Sequence, residues 1–96
     1  MRRPKKSKYK SVVINKKRYY YYKITWIDPT GDSGHATHHD SYGLIPSTMI
    51  THAYVFDKSR KYVWTFASYE ENDELFSDRN VFPIGCIIKM EKINER

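Results

Sequence analysis

Ten lysines and arginines stand in the first 23 residues: Arg2, Arg3, Lys5, Lys6, Lys8, Lys10, Lys16, Lys17, Arg18 and Lys23. No Asp or Glu interrupts them, and the run takes in four consecutive tyrosines, Tyr19 to Tyr22. Clustered cations gain free energy by displacing condensed counterions from phosphate backbones, and tyrosine rings offer faces on which unpaired bases stack. The chemistry open to this combination is capture of a polyanion, RNA or single-stranded DNA, with no covalent step. From Ile24 onward the balance reverses, with seven basic against eleven acidic residues, so the net +6 is a basic segment joined to a mildly acidic body. A smaller basic cluster, Lys58, Arg60 and Lys61, returns at a turn between two strand-like runs. A solvated tail and an ordinary solvated turn are the plain alternatives for the two clusters. The interleaved tyrosines favour binding.

Other constellations carry less. His35, His38, His39 and Asp40 hold metal-ligating types close together, and on a helix His35 and His39 would share a face. Gly31, Gly34 and Gly43 argue against such a helix, and no Cys pair or zinc-hydrolase motif accompanies the cluster, so the segment reads as a polar loop without metal. Ser33 beside His35 and Asp32 is a local coincidence, because a nucleophilic triad needs geometry that proximity in a loop does not supply. Glu70, Glu71, Asp73 and Glu74 offer carboxylates for a divalent cation, although an acidic loop that keeps the body soluble explains them more simply. Cys86, beside Ile87 and Ile88, reads as a small buried hydrophobe. The expectation is a non-enzymatic protein without a cofactor.

The elements that must position these residues are strands. A chain of 96 residues has room for one domain. Residues 1–10 read as a flexible basic arm and 11–96 as the folded unit. Ser11 is placed to cap a short helical turn over Val12, Val13 and Ile14, against the preference of β-branched residues. Alternation then predicts a strand from Arg18 to Asp28, with Tyr20, Tyr22, Ile24 and Trp26 inward, and Tyr19, Tyr21, Lys23 and Thr25 toward water or ligand. Tyr19 and Tyr21 are thus the stacking candidates. After a long polar connection, further strands are expected over Ser47 to Asp57, Lys61 to Tyr69 (Tyr62, Trp64 and Phe66 inward), Asn80 to Phe82 and Cys86 to Ile93. Glu70 to Asp78 reads as an acidic loop. Five short strands in so small a chain point to a mainly β fold, a strongly bent barrel that removes its own edges. No apolar run reaches the ~20 residues of a membrane helix, and the single cysteine fits a reducing cytoplasm.

The ending Val81-Phe82-Pro83-Ile84-Gly85-Cys86-Ile87-Ile88-Lys89-Met90 resembles the second signature of Sm and LSm proteins: a short apolar strand, a tight turn carrying Gly, and a last apolar strand. The segment from Ile24 to Asp57 is similar to small Sm-like proteins of marine cyanophages. At the positions where that signature places Arg before the Gly and Asn after it, this chain has Ile84 and Cys86. The resemblance implies a five-stranded SH3-like barrel, a homo-oligomeric ring joined through the edges of the last two strands, and contact with RNA or single-stranded DNA in RNA or DNA processing. A protein-interaction ring engaging a host or phage protein is the alternative, and a metal-dependent phosphodiesterase a more remote one.

Overall fold

The computed structural model describes residues 8–72 and 74–95, so Arg2, Arg3, Lys5 and Lys6 lie outside the described residues. Its strands are β1 (Ser11–Ile14), β2 (Lys17–Asp28), β3 (Ser47–Lys58), β4 (Tyr62–Phe66), β5 (Ser68–Tyr69), β6 (Phe76–Ser77), β7 (Asn80–Pro83) and β8 (Ile87–Lys92). One helical turn, α1 (His38–Ser41), lies in the β2–β3 connection, and a 3-10 turn over Ile84–Cys86 joins β7 to β8. No helix among the described residues is long and apolar enough to cross a membrane.

The chain is mainly β and all its ladders are antiparallel. One edge of β2 pairs with β3, from Tyr21 opposite Tyr54 to Asp28 opposite Ser47. The other edge pairs with β8, from Tyr22 opposite Lys92 to Trp26 opposite Ile87. At Tyr21 that edge changes hands: its carbonyl accepts from the Ile93 N–H at 3.0 Å, and its N–H donates to the Lys10 carbonyl at 3.0 Å. Beyond it, β1 takes over. Val12, Val13 and Ile14 are therefore extended rather than helical, opposite Tyr19, Arg18 and Lys17, because β-branched side chains gain more on a pleated surface than in a helical turn.

The five principal strands run in the order β8-β2-β3-β4-β7. Closure was the expectation, yet no ladder joins β7 to β8 among the described residues, and the sheet is open. Pro83 ends β7, and the 3-10 turn, tied to the β3–β4 turn by the Ile84 N–H donating to the Lys61 carbonyl at 2.8 Å, returns the chain to β2. The acidic stretch expected as a loop carries a strand at its C-terminal end. It contains β6, which pairs with β5 as a hairpin continuing β4 and β7, with Glu70 N–H donating to the Leu75 carbonyl at 3.1 Å.

Both faces of β2 are used, where simple alternation predicted one. Tyr19, Tyr54 and Phe66 are buried in an aromatic cluster that Phe76 and Tyr21 flank. Phe66 is central, with ring centroids 5.3 Å from Tyr19, 5.4 Å from Tyr54 and 4.7 Å from Phe76. On the opposite face of β2, Ile24 is fully buried, and Ala53, Val63 and Phe82 are buried with it in the strands alongside. Tyr19 is thus core rather than open to ligand, while Tyr20 and Tyr22 are only half-buried. The physical reason is the β5–β6 hairpin, which covers the face that alternation left to solvent. β4 departs similarly: Val63 and Thr65 face inward, and Tyr62 and Trp64 are exposed with their rings 5.8 Å apart. A bulge at Phe56 places Val55 opposite Thr65 but Asp57 opposite Trp64, so β4 gives small residues to one side and Phe66 to the aromatic cluster.

The β1–β2 turn is a two-residue loop with positive φ at both positions, 49° at Asn15 and 68° at Lys16. That backbone suits the right-handed twist of a hairpin, and Asn accepts it readily, whereas Lys does so at a cost of about 1–2 kcal/mol relative to the right-handed region. Lys16→Gly should therefore stabilise the protein by about 1 kcal/mol, after offsetting glycine's greater unfolded-state entropy. Urea unfolding measures it, with a higher midpoint and an unchanged m-value expected.

Candidate nucleic-acid interface

The N-terminal basic segment enters the described residues already tied to the sheet. Tyr9 bridges Asn94, the Lys10 N–H donates to the Ile93 carbonyl at 2.8 Å, and the Glu95 N–H donates to the Lys8 carbonyl at 2.7 Å. Residues 8–10, assigned by composition to the flexible arm, thus continue the folded sheet. Backbone pairing wins here because Lys8 and Lys10 keep their ammonium groups near the surface while their peptide groups pair with residues 93–95, which continue β8 beyond the end of its ladder with β2.

Around this clasp, lysines lie over tyrosine rings. The Lys10 ammonium is 4.3 Å from the Tyr21 centroid, that of Lys17 is 5.4 Å from Tyr19, and that of Lys8 is 5.3 Å from Tyr9. Lys92 lies over two rings, 4.3 Å from Tyr20 and 5.3 Å from Tyr9. Each such contact is worth roughly 0.5–1 kcal/mol when partly exposed. The lysines are therefore held in place yet keep charge available to an anion.

The remaining basic residues predicted to bind divide by position. Lys16 and Lys17 are exposed at the β1–β2 turn, and the Arg18 guanidinium donates to Ser11 Oγ at 2.6 Å. Lys23 is half-buried with His52 and Glu91 as cross-strand neighbours, so its charge faces a carboxylate of its own sheet. Lys58, Arg60 and Lys61 are exposed at the β3–β4 turn, where Ser59 Oγ accepts from the backbone N–H groups of Lys61 and Tyr62. The stacked rings of Tyr19 and Phe56, 6.0 Å apart and 8° from parallel, extend the β2–β3 register and carry Lys17 and Lys58 toward the same end of the sheet.

The stacking candidates fare unequally. Tyr19, at 6% exposure, has no free face for a base. Tyr21 is half-buried, its ring edge-on to Tyr54 at 4.8 Å and covered by Lys10. Tyr20, Tyr22 and Tyr9 keep more surface than Tyr19, and Lys92 joins them although nothing in its local sequence stands out. The alternation Met90, Lys92 opposite Ile24, Tyr22 was the available signal, and it requires knowing that β8 pairs with β2.

Elsewhere the histidine segment forms a single exposed turn capped by Thr37, whose Oγ1 accepts from the Asp40 N–H at 3.1 Å. Asp73 lies outside the described residues, and among those described no three His, Cys, Asp or Glu side chains converge as a metal-binding group. Cys86 is half-buried in the 3-10 turn.

No protein-family model, curated protein or solved structure matches this chain.

Beneath the lysine-covered Tyr21, burial pushes the Tyr54 phenol above its ordinary value of 10.0, reinforced by Tyr69, Tyr21 and Glu95. The folded state thus holds this proton more tightly than the unfolded chain does. The resulting stability is complete below pH 10 and is lost as the pH rises through the raised value. Tyr54→Phe should flatten the alkaline loss of stability relative to the parent protein. Thermal unfolding at pH 8 and above pH 10 checks this, and parallel curves for the two proteins would show that Tyr54 contributes none of it.

Proposed function

We propose that this protein binds single-stranded nucleic acid, RNA or DNA, by electrostatic capture and without catalysis. One observation carries the reading: the lysine-over-tyrosine contacts cluster where the basic N-terminal segment joins the sheet. Cations for phosphate and rings for bases therefore occupy one region, the combination that sequence-tolerant single-strand binders use. Arg2, Arg3, Lys5 and Lys6 add four further cations to the charge of the same basic segment.

The proposal extends to assembly as an Sm-like barrel within a homo-oligomeric ring. The order β8-β2-β3-β4-β7 supports it, since the two outer strands, β7 and β8, have edges without a ladder partner among the described residues. Val81 on β7 and Ile88 on β8 are more than half exposed, which makes these edges prone to pair with another copy. Pairing β7 of one copy with β8 of the next would close the sheet between copies and repeat the basic track around the ring. Light scattering should return a multiple of 11.5 kDa. A stable mass of one chain across micromolar concentrations removes the ring and leaves the binding reading in place.

Binding is tested by titrating labelled oligouridine and oligothymidine at about 50 and 200 mM salt. Replacing Arg2, Arg3, Lys5 and Lys6 together by Gln should flatten the slope of log affinity against log salt by roughly 2–3, since each single-strand phosphate contact contributes about 0.7. Affinity and slope that do not change would reduce this segment to a solubility device, and a ring that engages another protein would become the better reading.

A further inference from the structure

We infer that the point where the Tyr9 and Tyr20 rings converge on Lys92 is a base-stacking subsite for a single-stranded polynucleotide. This rests on the nucleic-acid reading above and assigns a place to it. The three residues come from distant parts of the chain: Tyr9 precedes β1, Tyr20 lies in β2 and Lys92 ends β8. Backbone bonds hold all three. Tyr20 is opposite Ser11 in the β1–β2 ladder, Lys92 is opposite Tyr22, and Tyr9 bridges Asn94. The site is thus built on paired strands rather than on a loop, which fixes the ring positions before any ligand arrives.

Magnitudes favour an exchange at this point. Lysine-over-ring contacts at exposed sites are weak, whereas a base stacked on an aromatic side chain strengthens binding by about 5- to 150-fold. A base that takes the face of Tyr20 displaces the ammonium, whose flexible four-carbon stem lets it reach the adjoining phosphate. The lysine therefore shields the ring in the free protein and holds the backbone in the bound one. Lys8, 5.3 Å from the Tyr9 centroid, supplies a second cation at the same place.

The local charges agree with an anionic ligand. On β8, alternation sends Glu91 to the face opposite Lys92, where it pairs with Lys89 at 3.6 Å. Glu95 acts on Tyr54, which belongs to the aromatic cluster with Tyr19 and not to the face of Tyr20. Of the other tyrosines in the run, Tyr19 is buried and Tyr21 is wedged against Tyr54. Tyr20, like Tyr21, combines a lysine with remaining exposure, but it lies on the face of β2 away from Tyr54.

The test uses the full chain and labelled oligouridine and oligothymidine of about 12 nucleotides. Tyr20→Leu should weaken binding by about 5- to 150-fold with an unchanged salt slope, the fold-change that one lost stack predicts, while Tyr20→Phe should bind as the parent does. Lys92→Met should lower the slope by about 0.7. The oligomer that binds more tightly identifies RNA or DNA as the ligand. If Tyr20→Leu does not fold, photo-cross-linking of bromouridine-substituted oligomer to the parent protein decides, with adducts at Tyr9 or Tyr20 expected. Parent-like binding by both Tyr20→Leu and Lys92→Met, or adducts confined to the Lys58 to Tyr62 turn, would overturn the subsite while leaving the nucleic-acid reading intact. Absence of any salt-sensitive binding by the parent protein at about 50 mM salt overturns both.

Discussion

The structure depends on β2 having a partner on each edge and a core on each face. Its twelve residues pair with β3 along one edge and with β8 and then β1 along the other. A strand so placed cannot slip by one residue, because that would exchange Ile24 with its neighbours on one face and Tyr19 with its neighbours on the other. Register along β2 therefore fixes where every tyrosine of the run stands. It also decides which of them remain available to a ligand.

Charge follows from the same arrangement. The carboxylates of Glu70, Glu71 and Glu74 lie in the connection between β5 and β6, while the lysines of residues 8–18 lie at the start of β2 and beside the end of β8. The acidic and basic halves that the sequence separates along the chain are set on different hairpins rather than neutralised against each other. Only one ion pair, Lys89 with Glu91, is formed among the described residues. The basic region thus keeps a positive potential that would attract a polyanion and would be screened over about 10 Å in ordinary salt.

Much of the fold was legible because strands and turns are written locally. β2, β3, β7 and β8 stand within a few residues of where alternation and turn residues put them. The errors arose where distant partners decide. Val12 to Ile14 looked like a weak helix because the strand that receives them starts after an Asn-Lys turn, without the Asn-Gly pair that signals such hairpins. Tyr19 looked exposed because its cover, Phe76, lies within the stretch from Glu70 to Asp78 that reads as an acidic loop. The basic half of the candidate site was visible as composition. Of its aromatic half, Tyr19 belongs to the core, and Lys92 is legible only once β8 is known to lie beside Tyr22.

The pairing of residues 8–10 with Ile93, Asn94 and Glu95 has a temporal consequence. During synthesis the β1–β2 and β3–β4 hairpins can form as their residues emerge, since their contacts are local. The clasp cannot, because its second half is made some eighty residues after its first. Until then the basic segment is joined to nothing but its own hairpin, and β2 presents a bare edge to its surroundings. Completion of the sheet and anchoring of the cationic segment are therefore a single late event, coupled to the arrival of β8.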